Sequence, residues 1–96
     1  MPAYYVGTIR ITDPDAWAIY VSRVGATIAQ YGGQVIFRGT RPDSVRDASV
    51  EGDHRIVTLR FESLAAAQRW HDSPEYQQLV PLRDAGAEVE LLLYEG

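Results

Sequence analysis

The sequence predicts an α+β fold in which one four-stranded antiparallel sheet carries helices on a single face. Four segments are rich in β-branched and aromatic residues or alternate between apolar and polar positions, which is typical of strands. Helix-start signals and apolar residues spaced by three and four positions mark the helical segments between them. The length of 96 residues suits one domain, so we expect a single domain over residues 1–96.

The first strand and the first helix have the clearest signals. Residues 4–12 form the first predicted strand. A cap at Thr12 or Asp13, followed by Pro14, predicts the start of a helix. Its single apolar stripe consists of Trp17, Val21, Val24, Ile28 and Tyr31. The pair Gly32-Gly33 predicts the helix end, because a residue with positive φ is favoured there.

The remaining strands are predicted in the middle and at the end of the chain. They cover residues 34–39, 54–61 and 88–94. Between the first two of these, residues 40–52 are rich in Asp, Ser, Pro and Gly, which predicts a solvated connection.

A broken helical unit is predicted between the last two strands. Ser63 can cap a short second helix, and Ser73 followed by Pro74 repeats the cap-then-proline signal for a third piece. Pro81 lies inside that third piece and is expected to kink or shorten it. The order is then β-α-β-β-α-β, which is the ferredoxin-like pattern.

Strand alternation separates two faces of the predicted sheet. The apolar face, expected under the helices, contains Val35, Phe37, Val57, Leu59, Phe61, Val89, Leu91 and Leu93. The second face contains Tyr4, Val6, Thr8, Arg10, Ile36, Arg38, His54, Ile56, Thr58, Arg60, Glu88, Glu90, Leu92 and Tyr94. A merely solvated face rarely carries so many large apolar residues. We therefore expect a homodimer formed through the second face; a bare, solvated sheet is the alternative.

The amino-acid composition limits the classes of partner and of site chemistry that the chain can have. The formal charge of −4 and the absence of basic runs argue against nucleic-acid binding. The chain has no cysteine, which excludes disulfides, thiolate metal sites and a cysteine nucleophile. No apolar run approaches the ~20 residues of a membrane span, and the first residues do not resemble a signal peptide. We expect a cytoplasmic, soluble protein with no membrane partner and no cofactor.

Short motifs along nearly the whole chain resemble one known family. They are Thr12-Asp13-Pro14, Tyr31-Gly32-Gly33, Arg38-Gly39, Glu51-Gly52, Phe61, the run Ala-Gln-Arg-Trp-His-Asp-Ser-Pro-Glu-Tyr over residues 67–76, Arg83 and Glu95-Gly96. The chain resembles the dimeric α/β-barrel superfamily and, within it, the small bacterial proteins of domain-of-unknown-function family 1330. The resemblance implies a homodimer in which two sheets pack face to face. It implies no particular reaction, because relatives in the superfamily include cofactor-independent monooxygenases, lactone isomerases, polyketide cyclases and haem proteins.

His71 is the candidate catalytic residue. It lies at helical spacing from Leu64 and Ala67, so we expect it to point towards the cleft above the sheet. There an imidazole can act as a general acid or base near neutral pH. The alternative is a partly exposed histidine at a helix end, favoured by the helix dipole. The only other histidine, His54, lies on a different element, so no metal site is predicted.

Aromatic and arginine side chains are the candidates for substrate binding. The candidate residues are Tyr20, Arg38, Trp70, Tyr76 and Arg83. The aromatic ones, with Trp17, can line a pocket for a planar ligand; ordinary core packing is the alternative and is favoured for Trp17 and Trp70. The two arginines can bind a carboxylate or enolate oxygen in a bidentate fork; an ion pair with a nearby Asp or Glu is the alternative.

The sequence favours a homodimer that binds a small organic molecule in an apolar cleft between helices and sheet. As an enzyme it would be cofactor-free, of monooxygenase, isomerase or cyclase type. His71 would then transfer a proton, and Tyr20, Tyr76 and Arg38 would stabilise a developing oxyanion. This version requires an open cleft of at least roughly 300 Å³ that reaches His71. The alternative is a non-catalytic structural or accessory dimer, in which the two tryptophans fill that space.

Overall fold

The helices and strands follow the predicted order. The computed structural model describes residues 1–42 and 52–96, so most of the predicted connection over residues 40–52 lies outside the described residues. The elements are β1 (Ala3–Ile11), α1 (Pro14–Gln30), β2 (Gln34–Thr40), β3 (Asp53–Phe61), α2 (Leu64–Asp72), α3 (Pro74–Gln77), α4 (Val80–Gly86) and β4 (Ala87–Glu95). The strands form one sheet in the order β2-β3-β1-β4, and every neighbouring pair is antiparallel. The predicted ferredoxin-like α+β fold is confirmed.

Helix α1 has well-defined caps at both ends. The Asp13 side chain accepts hydrogen bonds from the backbone N–H groups of Asp15 and Ala16, at 3.1 and 3.3 Å. At the other end Gly32 has a φ of +78°, and the N–H of Gly33 donates to the carbonyl of Ile28 at 2.9 Å. This arrangement satisfies the last carbonyls of the helix and needs a glycine at the left-handed position. The caps fix the length of α1, which covers the sheet.

The segment between β3 and β4 contains three short helices. Ser63 caps α2 through the N–H of Ala66, and Ser73 caps α3 through the N–H of Tyr76. Pro81 was expected to kink or shorten the third helical piece. The piece is short: α3 ends at Gln77, and Pro81 stands in the first turn of the separate helix α4, where its missing N–H is tolerated.

The core lies between the helices and one side of the sheet. Its buried apolar residues are Ala3, Tyr5, Ile9, Trp17, Tyr20, Val24, Ile28, Leu59, Phe61, Ala67, Trp70, Tyr76 and Ala87. Trp70 is at its centre, with ring centroids of Tyr5, Phe61 and Tyr76 within 5.6 Å. Helix α1 also contacts α4 extensively, so the helices form one layer over the sheet.

A bulge in β2 overturns part of the predicted face assignment. Val35 pairs with Leu59, but Phe37 pairs with Thr58, so Ile36 is an extra residue in the ladder. The side-chain alternation therefore shifts by one position after Val35. The placement of Phe37 under the helices was wrong: it lies on the opposite side and is 56% exposed. The placement of Arg38 was wrong as well, since it pairs with Val57 on the helix-facing side.

The other side of the sheet is left uncovered by the helices. We call this side the open face; it carries Tyr4, Val6, Thr8, Arg10, Phe37, His54, Ile56, Thr58, Arg60, Glu88, Glu90, Leu92 and Tyr94. Several of its apolar residues are well exposed, including Phe37, Leu92 and Tyr94. Arg10 forms an ion pair with Glu88 across the β1–β4 pair, with a closest distance of 2.6 Å. The open face thus keeps the predicted mixture of apolar and charged residues.

Candidate functional site

A cavity of about 260 Å³ lies between α1 and the sheet. Its wall is formed by Ile9, Trp17, Tyr20, Val21, Val24, Ile28, Val35, Arg38, Gly39, Thr40, Arg55, Ile56, Val57, Leu59, Trp70, Val89 and Leu91. Most of these side chains are aliphatic or aromatic. Helix α1 supplies one wall with residues three and four positions apart, and the strands supply the other. The cavity is therefore an apolar space with two opposed rigid walls.

One end of the cavity is polar. Arg38 pairs with Val57, and Thr40 pairs with Arg55, which places all three polar side chains on the helix-facing side of the sheet. Arg55 is held by Asp53 through two hydrogen bonds, at 3.1 and 3.0 Å. Within residues 1–42 and 52–96, no hydrogen bond or ion pair engages the guanidinium of Arg38. Of the two arginines in the cavity wall, Arg55 is thus paired with a carboxylate, and Arg38 is not paired within these ranges.

Tyr20 brings a phenol to the cavity wall, and a hydrogen-bond network lies behind it. Its hydroxyl is 3.5 Å from the hydroxyl of Tyr76, and Arg83 donates to the Tyr76 oxygen at 2.8 Å. Arg83 is also held by Asp84 at 3.0 Å. Burial, followed by the proximity of Tyr76, strongly raises the pKa of Tyr20. Tyr20 is therefore a protonated donor at neutral pH, and it is not a base.

Trp70 belongs both to the core and to the cavity wall. Its indole Nε1–H donates to the hydroxyl of Thr27 at 3.1 Å, and that hydroxyl donates to the carbonyl of Val24 at 2.7 Å. These bonds satisfy a polar group that would otherwise be buried without a partner. Trp70 thus both packs in the core and lines the cavity, whereas the sequence had presented these two roles as alternatives.

His71 is not among the residues that line the cavity. Its ring stacks on Tyr5, with centroids 5.9 Å apart, and its Nδ1 is 3.4 Å from a carboxylate oxygen of Asp72. Burial, followed by the charge of Asp72, raises the pKa of Tyr5 to about 12. The structure therefore does not bring His71 together with Arg38 and Tyr20 in this cavity.

The structure brings together some of the predicted site residues and adds others. Tyr20, Arg38 and Trp70 line the cavity, while Tyr76 and Arg83 support Tyr20 from behind. Sequence reasoning missed Arg55, although strand alternation places it on the same side as Val57. Among residues 1–42 and 52–96, no group of three or more His, Asp or Glu residues could hold a metal ion. No helix in the same ranges has the length and apolarity needed to cross a bilayer.

Comparison with known proteins identifies the family and supports the fold. The model of the family described as Domain of unknown function (DUF1330) matches residues 2–96. No curated protein sequence matches the chain. A crystal structure of a protein of unknown function from Rhodopseudomonas palustris has a TM-score of 0.75 and 21% identity, covering 99% of this chain and 82% of that chain.

Two further crystal structures have the same fold. SnoaB, a cofactor-independent oxygenase from Streptomyces nogalater, has a TM-score of 0.69 and 14% identity, covering 99% of this chain and 92% of that chain. A protein of unknown function from a Jannaschia species, described as dimeric and ferredoxin-like, has a TM-score of 0.70 and 11% identity, with 100% of both chains covered. At these identities the likeness shows the fold alone.

Proposed function

The chain belongs to the DUF1330 family, and we propose that it is a small-molecule-binding domain whose ligand occupies the cavity between α1 and the sheet. One observation carries the proposal: the two tryptophans form walls of the cavity and leave its centre open. Cores are normally packed with few voids larger than a water molecule. An apolar cavity with an accessible polar end is instead the usual form of a ligand site.

The volume of the cavity sets the size of the ligand. An apolar protein cavity of about 150 Å³ holds one benzene molecule. Scaling benzene's six carbon atoms by the ratio of the volumes gives a ligand of about ten heavy atoms for 260 Å³. Trp17, Tyr20 and Trp70 on the wall favour an aromatic ring, because aromatic pairs gain from edge and offset contacts. A ring with a short substituent therefore fits best.

Binding can be tested with two probes of this size, phenylacetate and its neutral isostere 2-phenylacetamide. Isothermal titration calorimetry and NMR shift perturbation should show saturable binding of at least one of them, with shifts centred on α1 and β2. The variant Val21→Trp places a large side chain on a cavity-lining position and should weaken binding at least about ten-fold. Ile19→Trp is the matched control, since Ile19 lies on the same helix with similar exposure but outside the cavity.

If neither probe binds while the native fold is intact, the non-catalytic accessory dimer is favoured. Equal binding by Val21→Trp and Ile19→Trp would place the ligand elsewhere on the chain.

We also propose that the open face forms a homodimer. The support is its exposed apolar residues, together with the description of the Jannaschia structure as dimeric. Sedimentation at micromolar concentration should give a dimer for the wild-type chain and a monomer for Leu92→Arg. Leu92 is 44% exposed, and the control Ile19→Arg changes a residue that is 45% exposed on α1, away from the sheet. A monomeric wild type, or dissociation by the control alone, would contradict this arrangement.

Cofactor-free catalysis in the same cavity is a second candidate, favoured by the position of the Tyr20 hydroxyl. Its contact with Tyr76 is long at 3.5 Å, whereas O–H···O bonds are commonly about 2.7–2.8 Å. The Tyr20 proton is therefore free to turn towards an enolate or carbonyl oxygen of a bound molecule. SnoaB, a cofactor-independent oxygenase of similar fold, supports a search for oxygen consumption as well.

The test uses phenylacetone, a neutral enolisable ketone of the right size. A base from the buffer removes the α-proton, the Tyr20 O–H donates a hydrogen bond to the enolate oxygen that forms, and the α-carbon then takes up deuterium from the deuterated solvent. NMR should detect this exchange, faster with the wild type than without protein. Tyr20→Phe should slow the exchange about ten-fold or more with unchanged ligand affinity, and His71→Ala should leave it unchanged. Dependence on His71 without dependence on Tyr20 would refute this assignment.

A further inference from the structure

The geometry of the polar end points to a ligand class: we infer that the cavity selects a small apolar monocarboxylate, whose carboxylate is bound by Arg38. This inference rests on the proposed binding function and adds the chemical identity of the ligand's head group. The apolar part of the ligand lies against the tryptophans and valines, and the anion lies at the end formed by Arg38, Thr40 and Arg55.

The two arginines at this end differ in their partners. Both oxygens of Asp53 bind Arg55, so the charge of Arg55 is already compensated. Arg38 has no such partner among residues 1–42 and 52–96, although the whole chain carries a net charge of −4. Its planar guanidinium presents a fork of N–H donors that matches the two oxygens of a carboxylate.

The charge of this end of the cavity also favours a monoanion. Among the described residues at this end, Arg38 and Arg55 contribute two positive charges and Asp53 one negative charge, which leaves a single positive charge. One positive charge complements a monoanion such as a carboxylate. A dianionic phosphate would need further cationic partners, and the other lining side chains are apolar or neutral.

The bulge in β2 brings Arg38 to the side of the sheet that carries the cavity. Without the extra residue Ile36, alternation would direct Arg38 to the open face. Bulges are frequent next to active sites, where they redirect a side chain. Here the bulge exchanges Phe37 for Arg38 on the helix-facing side, so it introduces a cation beside an apolar cavity. A cation at that position does not serve core packing.

The test compares an acid with its neutral isostere in the wild type and in two charge-matched variants. The wild type should bind phenylacetate about ten-fold to a hundred-fold more tightly than 2-phenylacetamide, since hydrogen bonds to charged groups are the stronger class. Arg38→Gln should remove most of that preference and leave the affinity for the amide within about two-fold. Arg23→Gln makes the same change in net charge on an exposed position of α1, outside the cavity, and should leave both affinities unchanged.

The outcomes separate the inference from the function on which it rests. If the amide binds the wild type as tightly as the acid, or if Arg38→Gln keeps the preference, the carboxylate inference is refuted while ligand binding in the cavity stands. If neither probe binds, both are refuted. Retained amide binding by Arg38→Gln also shows that the variant is folded, so a loss of acid binding cannot be attributed to unfolding.

Discussion

Gly86 offers a sharp test of how α4 is docked against α1. Its carbonyl accepts hydrogen bonds from the N–H groups of Thr12 and Asp13, at 2.9 and 3.0 Å. A Cβ atom at residue 86 would lie 2.6 Å from the backbone nitrogen of Trp17 and 2.8 Å from its Cα. Ordinary contacts between non-bonded heavy atoms are about 3.5–4.0 Å. Gly86→Ala therefore requires a backbone displacement of about 1 Å at the start of α1.

The expected magnitude follows from this clash. Overpacking of a close-packed site costs about 1–3 kcal/mol. For a domain of this size each kcal/mol corresponds to roughly 4–8 °C in Tm. Gly86→Ala should therefore lower Tm by at least about 4 °C, and the displacement of Trp17 should also weaken probe binding in the cavity.

Gly25 is the matched control, because it undergoes the same substitution in open space. Nothing lies within 4 Å of a Cβ built at Gly25, which is in the middle of α1. Replacing a mid-helix glycine by alanine stabilises by about 0.5–1 kcal/mol. Thermal unfolding followed by circular dichroism, at one fixed protein concentration, should move in opposite directions for the two variants. A Gly86→Ala chain as stable as the wild type would refute the close approach of α4 to α1.

Three further predictions concern the core and the ionisable groups. Thr27→Val removes the acceptor of the Trp70 indole N–H and should lower the free energy of unfolding, measured in urea, by about 1–3 kcal/mol. Thr27→Ser keeps the hydroxyl and should lower it less. The reverse order would contradict the role of this hydrogen bond. Tyr5 has a pKa raised to about 12 by burial, so absorbance at 295 nm should show a phenol ionising there that Tyr5→Phe lacks. Because that pKa lies above its unfolded value of 10.0, the associated stability is complete below pH 10 and lost as pH rises towards 12. The hydrogen bond from Arg10, and then the charge of Arg10, lower the pKa of Glu88 below its ordinary value of 4.5. The stability that the ionised Glu88 contributes is therefore present above pH 4.5 and lost on acidification. Glu88→Gln should reduce the loss of stability that the wild type shows on acidification.

The features that the sequence predicted well depend on local signals. Asp13, Pro14 and Gly32 fix both ends of α1, and each acts through backbone groups within four residues of itself. The strands were located to within one residue at each described end, because their alternation is regular except in β2. The break after α3 was harder to predict from the sequence, since Pro81 is compatible both with a kinked helix and with the first turn of a new one.

The sequence suggested an apolar cleft between the helices and the sheet, but it could not decide whether that space is open or filled, because this depends on how far α1 stands from the sheet. The same side chains, Trp17, Tyr20 and Trp70, would serve a filled core equally well. Their identity indicates only that the space is apolar and aromatic. For His71, helical spacing gave the approximate direction, but the ring of Tyr5 lies against it, and it is not part of the cavity wall.

The face of Arg38 was assigned incorrectly for a physical reason that also explains why this residue matters. The period of two along a strand assumes an unbroken ladder, and Val35-Ile36-Phe37-Arg38 gives no sign of an inserted residue in its composition. The insertion becomes visible only from the pairing of β2 with β3, a tertiary feature. Two departures from the expected pattern, an exposed Phe37 and a cation beside an apolar cavity, follow from the single bulge at Ile36. The open face, proposed for dimerisation, gains the aromatic Phe37. The helix-facing side, proposed for ligand binding, gains Arg38. One irregularity in β2 thus supplies a residue that each proposed surface requires.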